Sequence, residues 1–374
     1  MFRRRFLVLA GLCLPGLLFV AAPTASAGKE KEKDPKKEEK YKQAVTKGLE
    51  WLAKQQSKDG HWEAFNGQYP VTMTAMAGMA MLMEGSNVRE GKYKDNIRRA
   101  CEWLMARSSP NGMIGNPNIP GESGRYTYGH GYAMMFLACI YGEEEEGPRR
   151  TKLEDILTRA AKFSRDSQTS RGGWGYVSAK EGGDFDEGST TVSQVQALRA
   201  VRNAGIPVPP DAIKNAVEYL RKATSPQGGI IYSLAQGGGG GGGSPALTSA
   251  GIACGFSTGD YNSELVKKWF KFCTPILKQT IGMQRMGHDE YTYYYLSQSV
   301  YMLGEDGWAK LFPGTPEGDQ IKWSDYRQRT FDSLISTQQA DGSWPGQHAG
   351  PVFSTSIFLS IMQLDNAVLP LYQR

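Results

Sequence analysis

The chain is poor in the residues that build soft metal sites. Among 374 residues there are five cysteines and four histidines, and no two cysteines stand as C-x-x-C. Cys139 and Cys254 sit in apolar runs (FLACIY and GIACGF). With Cys101 and Cys273 they read as small buried hydrophobes rather than as disulfide halves or ligands. No metal and no other cofactor is expected. Long hydrophobic runs are missing too, apart from one at the very start, so the mature chain is expected not to span a membrane. A strong excess of one charge is also lacking. Of 43 basic residues against 38 acidic ones, three are Arg3, Arg4 and Arg5 in that first segment. The remainder nearly cancels, which argues against a nucleic-acid partner. With 40% hydrophobic and 22% charged residues, the composition excludes collagen-like, coiled-coil and wholly disordered chains. The longest glycine run, Gly237–Gly243, has no Lys-Ser/Thr after it and no strand before it, so it reads as a surface loop and not a phosphate loop.

Residues 1–27 have the order of a signal peptide. Basic Arg3-Arg4-Arg5 precedes an apolar stretch from Phe6 to Ala22, and Ala25-Ser26-Ala27 supplies a small-x-small cleavage site. The expectation is an exported protein, periplasmic or secreted, with a retained membrane anchor as the alternative. Residues 28–40 (GKEKEKDPKKEEK) are almost all charge and cannot bury apolar area, so they are expected to be a disordered spacer. The folded part, residues 41–374, is expected to begin near Tyr41.

Inside that part the chain repeats itself. One recurring segment is an amphipathic helix running into a Gly-rich turn, often with a Trp. The first copy has Leu49, Leu52 and Gln55 before Asp59-Gly60-His61-Trp62. A middle copy has Phe163 and Gln168 before Gly172-Gly173-Trp174, and the last has Leu334 and Gln338 before Asp341-Gly342-Ser343-Trp344. Weaker copies surround Trp103, Tyr219 and Trp269. Apolar residues at i, i+4 and i+7, such as Val45/Leu49/Leu52 and Ile213/Val217/Leu220, give these helices one buried face. The second recurring segment is apolar on most sides, as in Thr74–Leu82, Tyr132–Ile140, Thr191–Ala204 and Thr355–Leu364. Thr or Ser near the start and Gly near the end are the expected caps. A helix apolar all round must lie inside other helices. Six pairs, one helix of each kind per pair, are therefore expected to close into an all-α double ring, with an open solenoid as the alternative.

The Q…(D/G)G-x-W pattern resembles that of the squalene–hopene cyclase and protein prenyltransferase superfamily, and the likeness covers the whole mature chain. It implies an α/α toroid of about six helical hairpins. It also implies that Gln55, Trp62, Gln168, Trp174, Gln338 and Trp344 are structural, tying the outer helices together. The zinc chemistry of the prenyltransferases is not implied, because no D-x-C is present and Asp289-Glu290-Tyr291-Thr292-Tyr293 lacks the family's histidine. The G-C-G-E-Q run of thioester domains is absent as well.

Class II terpene cyclases of this superfamily use a D-x-D-D motif, and Asp184-Phe185-Asp186-Glu187 resembles it. Protonating an isolated alkene needs a neutral, unusually strong carboxylic acid whose anion is accepted by neighbours, and the cation that follows needs aromatic walls. By resemblance Asp186 is the expected proton donor, assisted by Asp184, Glu187 and His130. Tyr128, Tyr132, Tyr293 and Tyr294 are expected to line the cavity. Three departures leave alternatives open. The fourth acid is Glu187, Gly188-Ser189 intervenes before Thr190-Thr191, and the chain has one toroid where triterpene cyclases have two domains. The acids also fit a solvated turn favouring a helix N-terminus, and His130 a buried, hydrogen-bonded histidine. The expected function is cyclisation or isomerisation of an apolar, terpenoid-like polyene. The alternative is a non-catalytic toroid that binds a ligand or a protein partner in its centre.

Overall fold

The computed structural model describes residues 33–119, 121–237, 242–279, 288–346 and 349–372. The expected signal peptide, residues 28–32 and four glycines of the long run lie outside them. Among the described residues there are thirteen α-helices and no strand. Six are amphipathic and form an outer layer: α1 (Pro35–Lys54), α3 (Lys94–Met105), α5 (Pro148–Asp166), α7 (Pro210–Ala223), α9 (Glu264–Leu277) and α12 (Trp323–Thr337). Six are buried almost all round and form the inner layer: α2 (Pro70–Met83), α4 (Tyr126–Glu143), α6 (Gly188–Asn203), α8 (Pro245–Thr258), α10 (Asp289–Leu303) and α13 (Pro351–Met362). The short α11 (Gly307–Leu311) is an insertion between α10 and α12. In α2 every residue is buried, whereas α1 buries one stripe: Tyr41, Ala44, Gly48, Leu49 and Leu52.

Each inner helix packs on its neighbour in the order α2, α4, α6, α8, α10, α13, and α13 packs back on α2. The ring is therefore closed, and the open solenoid is set aside. No helix among the described residues is long and apolar enough to cross a membrane.

Two sequence expectations shift. The charged stretch does not stay a spacer as far as residue 40. Asp34 caps α1 by accepting from the Lys36 N–H (2.9 Å), Pro35 takes the first helical position, and Glu38 already pairs bidentately with Arg327 (2.6 and 2.8 Å). Charge alone misleads here because its partners, Arg327 and Asp332, lie nearly 300 residues away. The inner-helix threonines are also not caps. The helices start three to six residues earlier, at Pro70, Tyr126, Gly188, Pro245, Asp289 and Pro351.

Those threonines belong to the turns instead. The backbone N–H groups of Trp62, Trp174 and Trp344 each donate to the hydroxyl of an inner-helix threonine, Thr74, Thr191 and Thr355, at 3.0 Å. Each indole N–H donates at 2.7 Å to the carbonyl ten residues back, on Leu52, Ser164 and Leu334. Each turn glutamine then donates to its own turn and to the next outer helix. Gln168 reaches Gly172 O and Ala212 O, and Gln338 reaches Gly342 O and Ala44 O, at 2.8 and 2.9 Å. The first copy corrects the sequence register. Gln56, not Gln55, makes the same pair of bonds, to Gly60 O and Asn96 O, while Gln55 is the exposed C-cap of α1. The Gln338–Ala44 bond joins the last outer helix to the first. Glycine is required four residues after the glutamine. At Gly172, φ is +93° and a Cβ would lie 2.3 Å from the Asn215 carbonyl of the next outer helix.

Candidate functional site

All six inner helices begin at one end of the ring, and their first turns surround a cavity of about 570 Å³. Tyr69, Thr72 and Met73 enter it from α2, Arg125 and Tyr128 from α4, and Glu187 and Ser189 from α6. Ser244, Ala246 and Leu247 come from α8, His288, Glu290 and Tyr291 from α10, and Ala349 and Phe353 from the start of α13. Tyr176 and Tyr232 complete the rim from two turns. Their hydroxyls hydrogen-bond at 2.8 Å, and the Arg125 guanidinium lies 4.6 Å from the centre of the Tyr176 ring. The walls are thus mainly aromatic and aliphatic, with two carboxyl groups, Glu187 and Glu290, among them. Glu290 is buried and accepts from Ser354 Oγ at 3.1 Å.

The acidic segment divides into three roles. Asp184 is half-buried and accepts from the Ser170 N–H and hydroxyl at 2.7 and 2.5 Å. Asp186 is fully buried but does not border the cavity. Its Oδ2 takes Arg171 Nε at 2.6 Å, and its Oδ1 accepts from Tyr219 Oη (3.0 Å), Ser233 Oγ (3.2 Å) and the Leu234 N–H (2.7 Å). That set of donors makes Asp186 a staple between three chain segments and leaves it no open face for a substrate. Glu187, by contrast, does border the cavity while exposing no surface to water. It caps α6, accepting from the N–H groups of Ser189 (2.9 Å) and Thr190 (2.5 Å) and from both their hydroxyls. Burial raises its pKa above the ordinary glutamate value, and the hydrogen bonds from Thr190 and Ser189 oppose that rise without cancelling it.

His130 is not at the mouth either. Its Nδ1 accepts from the Ile114 N–H at 3.0 Å, and its Nε2 lies 3.1 Å from Ser164 Oγ, which donates on to Gln194 Oε1 at 2.6 Å. Ile114 occupies the turn position of Trp62 and Trp174, and His130 the position of Thr74 and Thr191. In the fourth copy Ile230 and Thr248 repeat the arrangement at 2.9 Å. His130 is therefore the repeat's threonine in another form. Burial lowers its pKa to about 4.

Of the four tyrosines expected at the cavity, Tyr128 is there. Tyr132 lies one turn deeper, and Tyr293 and Tyr294 are buried in the ring wall. Sequence reading passed over Tyr291, Tyr176 and Tyr232. Tyr291 was hidden in a run of similar residues. Tyr176 and Tyr232 carried a usable signal, since each stands two residues after the turn position that Trp174 and Ile230 fill. Burial pushes the Tyr128 and Tyr291 phenols well above their ordinary pKa, so both stay neutral.

No protein-family model matches the chain. A squalene-hopene cyclase of Schizosaccharomyces japonicus is 28% identical over 184 residues, covering 42% of this chain and 27% of the relative. The chain thus matches about a quarter of that protein's length. Among solved structures, a variant of the type II terpene cyclase MstE from Scytonema in complex with geranylgeranyl dihydroxybenzoate has a TM-score of 0.55 at 12% identity. It covers 89% of this chain and 99% of that one. An inactive variant of an α-1,6-mannanase of Salegentibacter sp., in complex with α-1,6-mannotriose, has a TM-score of 0.62 at 8% identity, over 88% and 99%. The fold is the α/α toroid common to these enzymes.

Proposed function

We propose that the ring takes an apolar polyene into its mouth cavity and starts cyclisation or isomerisation by proton transfer from Glu187. The observation that carries this reading is one carboxyl group, with its pKa raised by burial, at the edge of a cavity walled by Tyr128, Tyr176, Tyr232, Tyr291 and Phe353. Burial favours the protonated acid, and the Ser189 and Thr190 donors stabilise the anion once the proton has left. The carboxyl proton adds to one alkene carbon, whose π electrons form the new C–H bond. A carbocation and the Glu187 carboxylate remain. Ring faces of the tyrosines stabilise the cation as it moves along the chain. Loss of a proton from the final cation gives a neutral isomer of the substrate and restores the acid. The similarity to squalene-hopene cyclase, and the geranylgeranyl compound in the Scytonema neighbour, support the class of substrate. The exported location expected from residues 1–27 is part of this proposal, so the polyene is met outside the cytoplasm.

The assignment replaces Asp186 by Glu187, and the two variants separate them. With squalene and geranylgeraniol as substrates and mass spectrometry of the extracts, wild type and Asp186→Asn are expected to give cyclised or isomerised product at temperatures where both are folded. Glu187→Gln, which keeps an acceptor for the Thr190 N–H, is expected to give none. Activity of the wild type should fall as pH rises through the Glu187 pKa, because only the protonated form delivers the proton.

A second reading, a ring that binds without reacting, is favoured by one observation: Glu187 is also a complete helix cap, a role that needs no chemistry. Saturable binding of the same polyenes without product in any variant selects it. Hydrolysis of a mannan oligosaccharide by the wild type would reject both readings.

A further inference from the structure

The bore of the ring does not run open from end to end. Tyr132 stands on α4 and Tyr295 on α10, helices that share no face because they lie opposite one another in the order α2, α4, α6, α8, α10, α13. Their hydroxyls nevertheless meet at 3.0 Å, and both side chains are buried, at 1% and 0% exposure. They lie four residues past Tyr128 and Tyr291, which is about 6 Å further along helices of 1.5 Å rise. Tyr128 rests on Tyr132 (ring centres 5.2 Å apart) and Tyr291 on Tyr295 (4.7 Å). About 10 Å beyond Ser189 and Tyr291, Gln196 of α6 reaches Gln298 of α10 across the bore at 3.0 Å, again between helices that are not neighbours. On the far side of these bridges a second hollow of about 200 Å³ lies among the inner-helix ends at Leu82, Cys139 and Ala200. Val368, Leu369, Pro370 and Leu371 line one side of it.

We infer that the Tyr132–Tyr295 bridge is the floor of the mouth cavity and sets the length of the polyene it accepts; the inference rests on the polyene reading above. The physical argument is steric. An apolar chain entering between Tyr128 and Tyr291 meets two phenol rings whose hydroxyls are already paired with each other. Pushing them apart breaks a buried hydrogen bond with nothing to replace it, because a hydrocarbon offers neither donor nor acceptor. Filled space beneath, at Gln196 and Gln298, prevents the rings from swinging down. Replacing either tyrosine by a smaller apolar residue opens about one helical turn of extra depth, roughly 5 Å. That is close to the span of one five-carbon isoprene unit.

The test measures dissociation constants for geraniol, farnesol, geranylgeraniol and squalene by quenching of intrinsic fluorescence. The proteins are wild type, Tyr132→Leu, Tyr295→Leu and Tyr132→Phe, each checked for a cooperative melt. Tyr132→Phe loses the hydrogen bond but keeps the ring, so its preferred length should stay that of wild type while longer compounds are disfavoured less strongly. The two Leu variants should move the preferred ligand to longer chains by one isoprene unit, with at least a tenfold gain for the longer compound relative to the shorter. Leucine is apolar and packs, and two independent sites guard against a single misfolded variant. Wild type and both folded Leu variants showing the same preferred length would overturn the floor and leave the polyene reading standing. Absence of binding for all four compounds in every protein would overturn the polyene reading, and the floor with it.

Discussion

Asp186 and Glu187 are adjacent and equally buried, yet their surroundings give them different work. Asp186 meets a guanidinium, two hydroxyls and a backbone N–H in a place with no cavity beside it. Asn at 186 would keep the shape but turn an amide N–H toward Arg171 Nε. The expected loss is about 1–3 kcal/mol in denaturant unfolding, with product formation retained below the new melting point. His130 is a second case of structure in place of chemistry, and it leaves a trace in pH. The unfolded histidine takes up its proton near pH 6.5, the buried one only near 4. Between these values the unfolded state binds more protons. The stability His130 contributes is therefore complete above pH 6.5 and is lost as the pH falls toward 4. His130→Thr, which restores the residue used by the other copies, is expected to flatten the decline in melting temperature over that interval. An unchanged slope would show that other groups set it.

At the level of elements, the helix-turn unit explains both what the sequence revealed and what it concealed. Periodicity identified the outer helices because one face is wet and the other dry, and it identified the inner ones because no face is wet. Trp62, Trp174 and Trp344 were legible as structural residues, and each is fully buried with its indole N–H satisfied. The glutamine register was not legible in the first copy, where Gln55 and Gln56 stand side by side. Only the constant offsets to Gly and Trp in the other two copies select Gln56. Truncation tests this. Gln56→Ala removes a bond within the turn, to Gly60 O, and the bonds to α3, given to Asn96 O and accepted from Asn96 Nδ2 and the Arg99 guanidinium, and should cost about 1–3 kcal/mol. Gln55→Ala, at an exposed cap position, should stay within about 0.5 kcal/mol of wild type. Equal effects would contradict the register. The inner-helix starts were misplaced because threonines that hold the tryptophan N–H look, in one dimension, like N-caps.

The whole molecule shows why the fold was more readable than the site. A closed ring follows from counting pairs and asking where an all-apolar helix can go. The cavity depends on which of many tyrosines face inward at one depth, and a helix buried on all sides gives no periodic signal for that. His130, Tyr293 and Tyr294 therefore stand away from the cavity lining, whereas Tyr128 and Glu187 border it and Tyr132 lies one turn below. Closure also draws on residues remote in sequence. Arg327 of α12 ties Glu38 of α1 to Asp365 after α13, and Asn366 donates to the Met83 carbonyl at the end of α2. Six helix starts converge on one mouth chamber, while Val368, Leu369, Pro370 and Leu371 line the smaller hollow at the opposite end. The claim that this chamber protonates a polyene through Glu187 is tested most directly in deuterium oxide. The Glu187 carboxyl exchanges with solvent, so each turnover of squalene or geranylgeraniol should place one deuteron in the product, seen as a mass one unit above that formed in water. Wild type and folded Asp186→Asn are predicted to give that product and Glu187→Gln to give none. A deuterated product from Glu187→Gln at the wild-type rate, or no conversion of either polyene by the wild type, would contradict the account.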